Sequence, residues 1–401
     1  MKVNKETLLR YGALFTAMMA SGGNALVLRE IWVVLTVLLC LPLLNWRIPI
    51  KSSRVYIYLW VLAVLLLLLF VQGPGSIVSI LSRMMTFLAA LLLLEVYLSR
   101  RPQLFLADLF AILSVMCVQA ILTSVIGNLF IGAFSPVTIR GATYYTLGFV
   151  FNFHYVHDEI ARYVRPDGFF YEPGSFQIYL SIFLYLVLFW RFSVRWSVLA
   201  VVALITVWST IGLFIATILI LISSRHLIFQ LRGLKVAVLV LAYVVSVPVV
   251  AGIALQNYDQ KVNGELRGSF LARQYDFFTG LNIIQQRPLT GIGFGSEAYL
   301  NYNRVYGFKS SELRTQQSDD RLNSNGLVQV LYTIGVPLGA VLLLGIYFQI
   351  LFPHRLPIAI ILGGSLYGQS LVFTPFFLLI LLSGLVSKKE FYFKKGEISR
   401  A

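Results

Sequence analysis

Residues 196–223, WSVLAVVALITVWSTIGLFIATILILIS, decide how this chain is folded. An ordinary membrane helix takes about 20 residues, so the run is too long for one span and short for two. Ser209, Thr210 and Gly212 interrupt it. As a bent hairpin, it brings Arg225, Arg232 and Lys235 back to the side that holds Arg191 and Arg195. As one tilted span, it inverts everything downstream. Lys and Arg concentrate in the short cytoplasmic loops of membrane proteins, and that bias selects the hairpin.

Outward from this stretch, apolar runs recur at roughly 11–28, 31–45, 55–72, 76–98, 104–126, 174–190, 196–208, 210–223, 236–255, 325–350, 356–371 and 374–387. Ser21, Gly22, Gly23 and Asn24 interrupt the first run, and a break near Thr374 and Pro375 makes 356–387 a second hairpin. With both termini inside, every inner loop is basic, from Lys2, Lys5 and Arg10 through Arg47, Lys51, Arg54, Arg100 and Arg101 to Arg355, Lys388 and Lys389. The inner acids are Glu6, Glu390 and Glu397. The fold class is therefore all-α: a polytopic transmembrane bundle of about twelve spans in a single integral-membrane domain, 1–401. Two long segments, 127–173 and 256–324, face away from the cytoplasm, and each is expected to fold back over the bundle.

Composition agrees with this reading. Of 401 residues, 58% are hydrophobic and only 12% are charged, about half the usual share of a soluble domain. The mean hydropathy is +0.81. A net charge of +15 would suit nucleic acid, but its confinement to short loops speaks for membrane topology and against that partner. Cys40 and Cys117 lie within apolar runs and read as packing residues. The first run has no clear small-residue cleavage site, so no removed leader is expected.

The outer segments hold the chemistry-bearing residues. The first closes on Arg165-Pro166-Asp167-Gly168-Phe169-Phe170-Tyr171-Glu172-Pro173-Gly174-Ser175, directly before a span. Two readings stand. One is a capped helix start with Arg165 paired to Asp167 or Glu172. The other is a carboxylate and a guanidinium at a helix entrance, able to hold a phosphate and position a base. The second segment carries Arg267, Arg273, Arg287, Arg304, Arg314 and Arg321, with Lys261 and Lys309. Most of these suit a solvated loop. Arg267 and Arg273 adjoin an amphipathic stretch from Phe270 to Ile284. Thr290-Gly291-Ile292-Gly293-Phe294-Gly295 reads as a tight turn, since no βαβ unit surrounds it. His154, His157, Asp158 and Glu159 have metal-like spacing but no distant ligand, and no metal is assigned to them. Three ionisable residues fall inside spans. Glu95 and Asp108 either reach the interface or pair with Arg100 and Arg101. Arg83 sits seven residues after Ser76, about 10 Å below the outer surface. It is either a structural pair or part of a site.

In order and placement these pieces resemble the superfamily of O-antigen polymerases and ligases over roughly residues 75–390. Arg165 through Ser175 resembles its arginine followed by aromatic-Glu-Pro. Ser209-Thr210-Ile211-Gly212 resembles its break inside a helix pair. Arg273 followed by Pro288-Leu289-Thr290-Gly291-Ile292-Gly293-Phe294-Gly295 resembles its second-loop motif. Ser324-Asn325 with Gly335 and Gly339 resembles the opening of the next span. Ligases typically carry histidine where Ser324 stands, so the resemblance favours the polymerase branch, and the histidine's role is not transferred to Ser324.

The resemblance implies a GT-C-like, metal-independent glycosyltransferase of the bacterial inner membrane, without a cofactor. Its site would face the periplasm and its termini the cytoplasm. The donor would be a growing glycan on undecaprenyl pyrophosphate, and the acceptor a repeat unit on the same lipid. A chain-length regulator and a flippase would be its partners. Glu172, Arg273 and Arg165 are the catalytic candidates, with Glu172 as base and Asp167 and Asp276 as alternatives. Arg267, Arg83, Arg287, Asp167, Tyr171, Ser324 and Asn325 are the candidates for binding pyrophosphate and glycan. The rivals are an O-antigen ligase and a lipid-glycan flippase. The one-sided polar segments and the lack of an internal repeat count against transport.

Overall fold

The computed structural model describes residues 4–22, 27–46, 54–72, 77–99, 103–139, 142–148, 150–157, 162–170, 172–228, 247–248, 250–260, 262–264, 267–309 and 322–386. These residues are mostly helical. Five helices come first: α1 (Lys5–Ala20), α2 (Arg29–Leu43), α3 (Val55–Gln72), α4 (Ile77–Ser99) and α5 (Gln103–Leu129). The Asn4 side chain caps α1 by accepting from the Glu6 amide. The helix stops at Ser21, the first of the interrupting residues, so it lies nearer the N-terminus than the run 11–28 suggested. The Thr16 and Thr36 hydroxyls join α1 to α2 at 2.9 Å.

After α5 the all-α expectation needs a correction. A four-stranded antiparallel meander intervenes: β1 (Ser135–Ile139), β2 (Ala142–Leu147), β3 (Phe151–His157) and β4 (Arg162–Pro166). Its register pairs Tyr145 with Phe153 and His154 with Arg165. Phe153 packs with Phe134 and Val164, and Tyr145 stacks on it at 5.3 Å. The alternation of aromatic and polar residues in Phe151-Asn152-Phe153-His154-Tyr155 is a period-two strand signal, and aromatic cross-strand pairs stabilise such a sheet.

The chain then forms α6 (Pro173–Tyr185), which runs into a π-helical turn over Leu186–Trp190, then α7 (Val194–Val207) and α8 (Thr210–Ile228). Trp208, at φ 52°, and Ser209 separate α7 from α8, so the deciding stretch is two helices. Most of the run 236–255 lies outside the described residues; a helix over 250–260 (α9) follows it. The segment 256–324 is largely helical where described: α10 (Arg267–Gln286) and α11 (Ser296–Tyr306). The buried positions of α10, namely Ala272, Tyr275, Asp276, Thr279, Gly280 and Ile283, recur at helical spacing, but they include polar Asp276 and Thr279 while Phe278 is exposed, so the stretch Phe270 to Ile284 is not cleanly amphipathic. Last come α12 (Gly326–Phe348), α13 (Arg355–Tyr367) and α14 (Pro375–Ser383), with the break between α13 and α14 at 368–374.

Among the described residues, Ile80–Ser99, Gln103–Leu129, Pro173–Trp190 and Gly326–Phe348 are long and apolar enough to cross a membrane, and several shorter apolar helices accompany them. The outward positions are themselves apolar. On α5, Val115, Val118, Leu122 and Val125 are exposed while Leu109, Leu113, Met116, Cys117 and Ala120 are buried. Water would not tolerate so broad an apolar exterior, whereas lipid does. Cys40 and Cys117 are buried, free thiols.

Buried charge is paired at one end of the bundle. Arg10 donates to Asp108 at 2.8 and 3.3 Å, and Tyr97 donates to the same carboxylate at 3.1 Å. Arg54 forms an ion pair with Glu95, to which Tyr58 also donates at 3.0 Å. The carboxylates therefore find partners on α1 and just before α3; Arg100 and Arg101, the partners expected if they did not simply reach the interface, lie outside the described residues. Breaking either pair would strand a buried charge at a cost of about 3–5 kcal/mol.

Candidate functional site

The entrance to α6 gathers the residues of the first outer segment. Glu172 precedes Pro173 in extended conformation, and its carbonyl accepts from the Ser175 and Phe176 amides at 3.1 and 3.3 Å. Its exposed carboxylate makes no capping bond. Arg165 does not make the short ion pair of the capped-start reading either. Its Nε donates to the Val207 carbonyl at 2.8 Å, tying β4 to the end of α7. Burial pushes the Arg165 guanidinium down to about 10, and the charge of Arg273 adds to this, against the pull of Asp167 and Glu172. Arg165, Glu172 and Arg273 therefore share one electrostatic neighbourhood, although Arg273 comes from α10.

Asp167 is fully buried. Its Oδ1 meets His154 Nδ1 at 2.9 Å, and its Oδ2 has no hydrogen-bond partner among the described residues. Burial raises its carboxyl, with His154 and Arg165 acting the other way. His154 is thus a strand residue bonded to Asp167. Asp158 and Glu159, with which it shared a metal-like spacing, lie outside the described residues, as does Tyr171.

The wall of the site is the break 368–374. A Cβ at Gly368 would lie 3.0 Å from Arg273 Nη1, so the guanidinium lies flat against that backbone. Ser175 Oγ donates to Gln369 Oε1 at 3.2 Å, and the Gln369 amide fills the space a Cβ would need at Gly174. On the far side Ser370 and Phe373 line a cavity of about 610 Å³. Arg29 and Glu30 at the head of α2, Arg83 of α4, Phe294, Tyr299 of α11 and Gln329 of α12 also face this cavity. Arg29 Nη2 donates to the Phe373 carbonyl at 2.6 Å, and the Arg83 guanidinium lies 5.0 Å from the centre of the Phe294 ring. Arg83 is thereby held by a ring and the cavity. On α4 it stands twelve residues, about 18 Å, from Glu95 and the paired charges.

The glycine-rich stretch proves to be a backbone strap. Gly335 breaks α12 with φ 77°, and Pro337 follows it. Pro288 through Gly293 crosses the break. Ile292 and Gly293 donate to the Tyr332 and Thr333 carbonyls at 2.8 and 3.0 Å, and Val336 donates to the Pro288 carbonyl at 2.7 Å. Helical carbonyls freed by the kink are thus satisfied. The strap delivers Phe294 beneath Arg83.

The remaining candidates sit elsewhere. Ser324 Oγ donates to Asp276 Oδ2 at 2.5 Å, and its amide donates to the same oxygen at 3.0 Å. Asn325 caps α12, accepting from the Val328 amide at 3.1 Å. Arg267 is exposed at the start of α10. Arg287 donates to Tyr302 at 3.2 Å on an exposed surface. Sequence reasoning missed Arg29, Glu30 and Gln369. The first two were the edge of a loop, and Gln369 was an unremarked polar residue in an apolar run. Among the described residues no three metal-ligating side chains cluster. No family model, curated protein or solved structure matches the chain.

Proposed function

We propose that this chain is a polysaccharide polymerase of the O-antigen type. It would transfer a growing glycan from undecaprenyl pyrophosphate to a repeat unit on the same lipid. The observation that carries the proposal is that the charges of Glu172, from the first outer segment, and Arg273, from the second, both act on Arg165, while Arg273 packs against Gly368 in the break 368–374. Two guanidiniums beside one exposed carboxylate suit the reaction. The acceptor hydroxyl attacks the anomeric carbon and gives its proton to Glu172. The bond from that carbon to the pyrophosphate oxygen breaks, and its electron pair leaves with undecaprenyl pyrophosphate, whose growing charge the arginines compensate.

About twelve spans, both termini inside and a periplasmic site complete the proposal. One observation supports this topology: Glu95, paired with Arg54, stands about 18 Å along α4 from Arg83, as expected if the loops that are basic in sequence lie at the end opposite the site. Ser324, bonded to Asp276, replaces the histidine typical of ligases, which favours polymerisation over ligation. The test is purified protein reconstituted in lipid vesicles, given lipid-linked repeat units and no ion gradient. Elongated lipid-linked glycan is the expected product. Movement of unextended lipid across vesicles, with no elongation, would sink the proposal in favour of transport.

A further inference from the structure

The cavity beyond the wall 368–374 is separate from the Arg165, Glu172 and Arg273 cluster, and its lining is unusual for a lipid-embedded bundle. Arg29 and Arg83 face it, and among the described residues neither guanidinium makes an ion pair. Both are fixed in place, Arg29 by the Phe373 carbonyl and Arg83 by the Phe294 ring. Arg83 lies within an apolar span, where carrying a charge is costly, and charges of this kind mark ligand sites. Glu30 is the one carboxylate in the lining, so the three charged groups leave a net single positive charge. Tyr299 supplies an aromatic ring, stacked on Tyr332 at 5.5 Å. Gln329 offers a buried Oε1 with no hydrogen-bond partner among the described residues, a ready acceptor for a hydroxyl. The volume, about 610 Å³, lies in the range of small-ligand pockets.

We propose that this cavity recognises an acidic saccharide residue, with its carboxylate held by Arg29 and Arg83 and its hydroxyls and ring face met by Gln329, Glu30 and Tyr299. A pyrophosphate fits less well, because its two or three negative charges would exceed the net charge of the lining. An acyl chain would leave the guanidiniums unmatched. The substrate class therefore follows: a repeat unit bearing a uronic-acid-type carboxylate. This assignment rests on the reading of the chain as a glycan polymerase, but its binding test does not require turnover.

The test is calorimetric titration of the full chain in detergent with methyl glucuronide, methyl glucoside and inorganic pyrophosphate. Methyl glucuronide is expected to bind at least roughly tenfold more tightly than methyl glucoside, since one charge-assisted contact distinguishes them. Arg83→Met and Arg29→Gln should each remove that preference, and Glu30→Gln should strengthen glucuronide binding. Gel-filtration profiles matching wild type establish that the variants are folded, and the Glu30→Gln gain cannot come from unfolding. Equal binding of the two glycosides, an unchanged preference in folded Arg83→Met, or tighter binding of pyrophosphate than of glucuronide would each overturn the assignment. The two proposals fail separately. Elongation without glucuronide preference refutes the acidic-sugar pocket alone, whereas glucuronide preference without elongation refutes the polymerase alone.

Discussion

Ser175 Oγ donates to Gln369 Oε1 at 3.2 Å, and that bond joins the entrance of α6 to the break between α13 and α14. Glu172 and Gly368, on either side of this junction, are positioned through it. Gly174→Val should therefore force the Gln369 amide away and slow chain extension more than Ser175→Ala, which loses one hydrogen bond of about 1 kcal/mol. Quantifying glycan ladders from membranes with equal protein content distinguishes the two variants.

Arg165→Ala and Arg273→Ala should each abolish chain extension while the protein stays in the membrane. Lysine at either position should rescue poorly, because it lacks the planar fork of donors. Wild-type chain lengths from either alanine variant would remove that residue from the site.

Glu172→Gln keeps the shape of the side chain and removes its basicity. Elongation by this variant should fall by about 10²–10⁴-fold, the usual contribution of a positioned base. Rates close to wild type with purified protein would eliminate Glu172 as the proton acceptor.

Asp167 gives a pH-dependent prediction. Its folded pKa is raised by burial, so its contribution is most favourable below the unfolded value of 3.8 and is lost as pH rises through the folded value. Asp167→Asn keeps an oxygen for His154 without the charge. The variant should unfold at a higher temperature than wild type at pH 7, and the gain should vanish near pH 3. A gain that is the same at both values would contradict the buried-carboxylate account.

Gly335→Ala places a Cβ at φ 77° and against the Leu289 carbonyl. A loss of roughly 1–3 kcal/mol is expected from backbone strain alone, with more from the clash. Thermal unfolding in detergent measures it. Gly363→Ala, where a Cβ meets open space, is the control.

What the sequence made legible was linear. Arg165, Glu172 and Arg273 stood in ordered motifs, and the charges of the latter two reach Arg165. The break inside 196–223 was legible from Ser209, Thr210 and Gly212, and Trp208 marks it with a left-handed backbone. The sheet over 135–166 was missed because its strands are short and no apolar run announced them, although Phe151 to Tyr155 alternates with a period of two. The cavity was hidden for another reason. Arg29, Arg83, Phe294 and Ser370 are far apart in the chain, and only the packing of α2, α4 and the strap makes them neighbours. Thr290 through Gly295 does turn tightly, with Gly291 and Gly293 at positive φ, but its bonding to a broken helix was not legible in the sequence.

The strap over α12 is held by main-chain atoms, not by its side chains. Leu289 is 72% exposed although it lies at the centre of the contact. A saturation library across 288–295 should therefore show an uneven pattern of tolerance. Leu289 and Thr290 should accept many residues. Gly291, at φ 66° and against the Thr333 carbonyl, should accept almost none. The segment can vary in chemistry while its path stays fixed, which leaves the surface beside Arg83 open to change without loss of the fold.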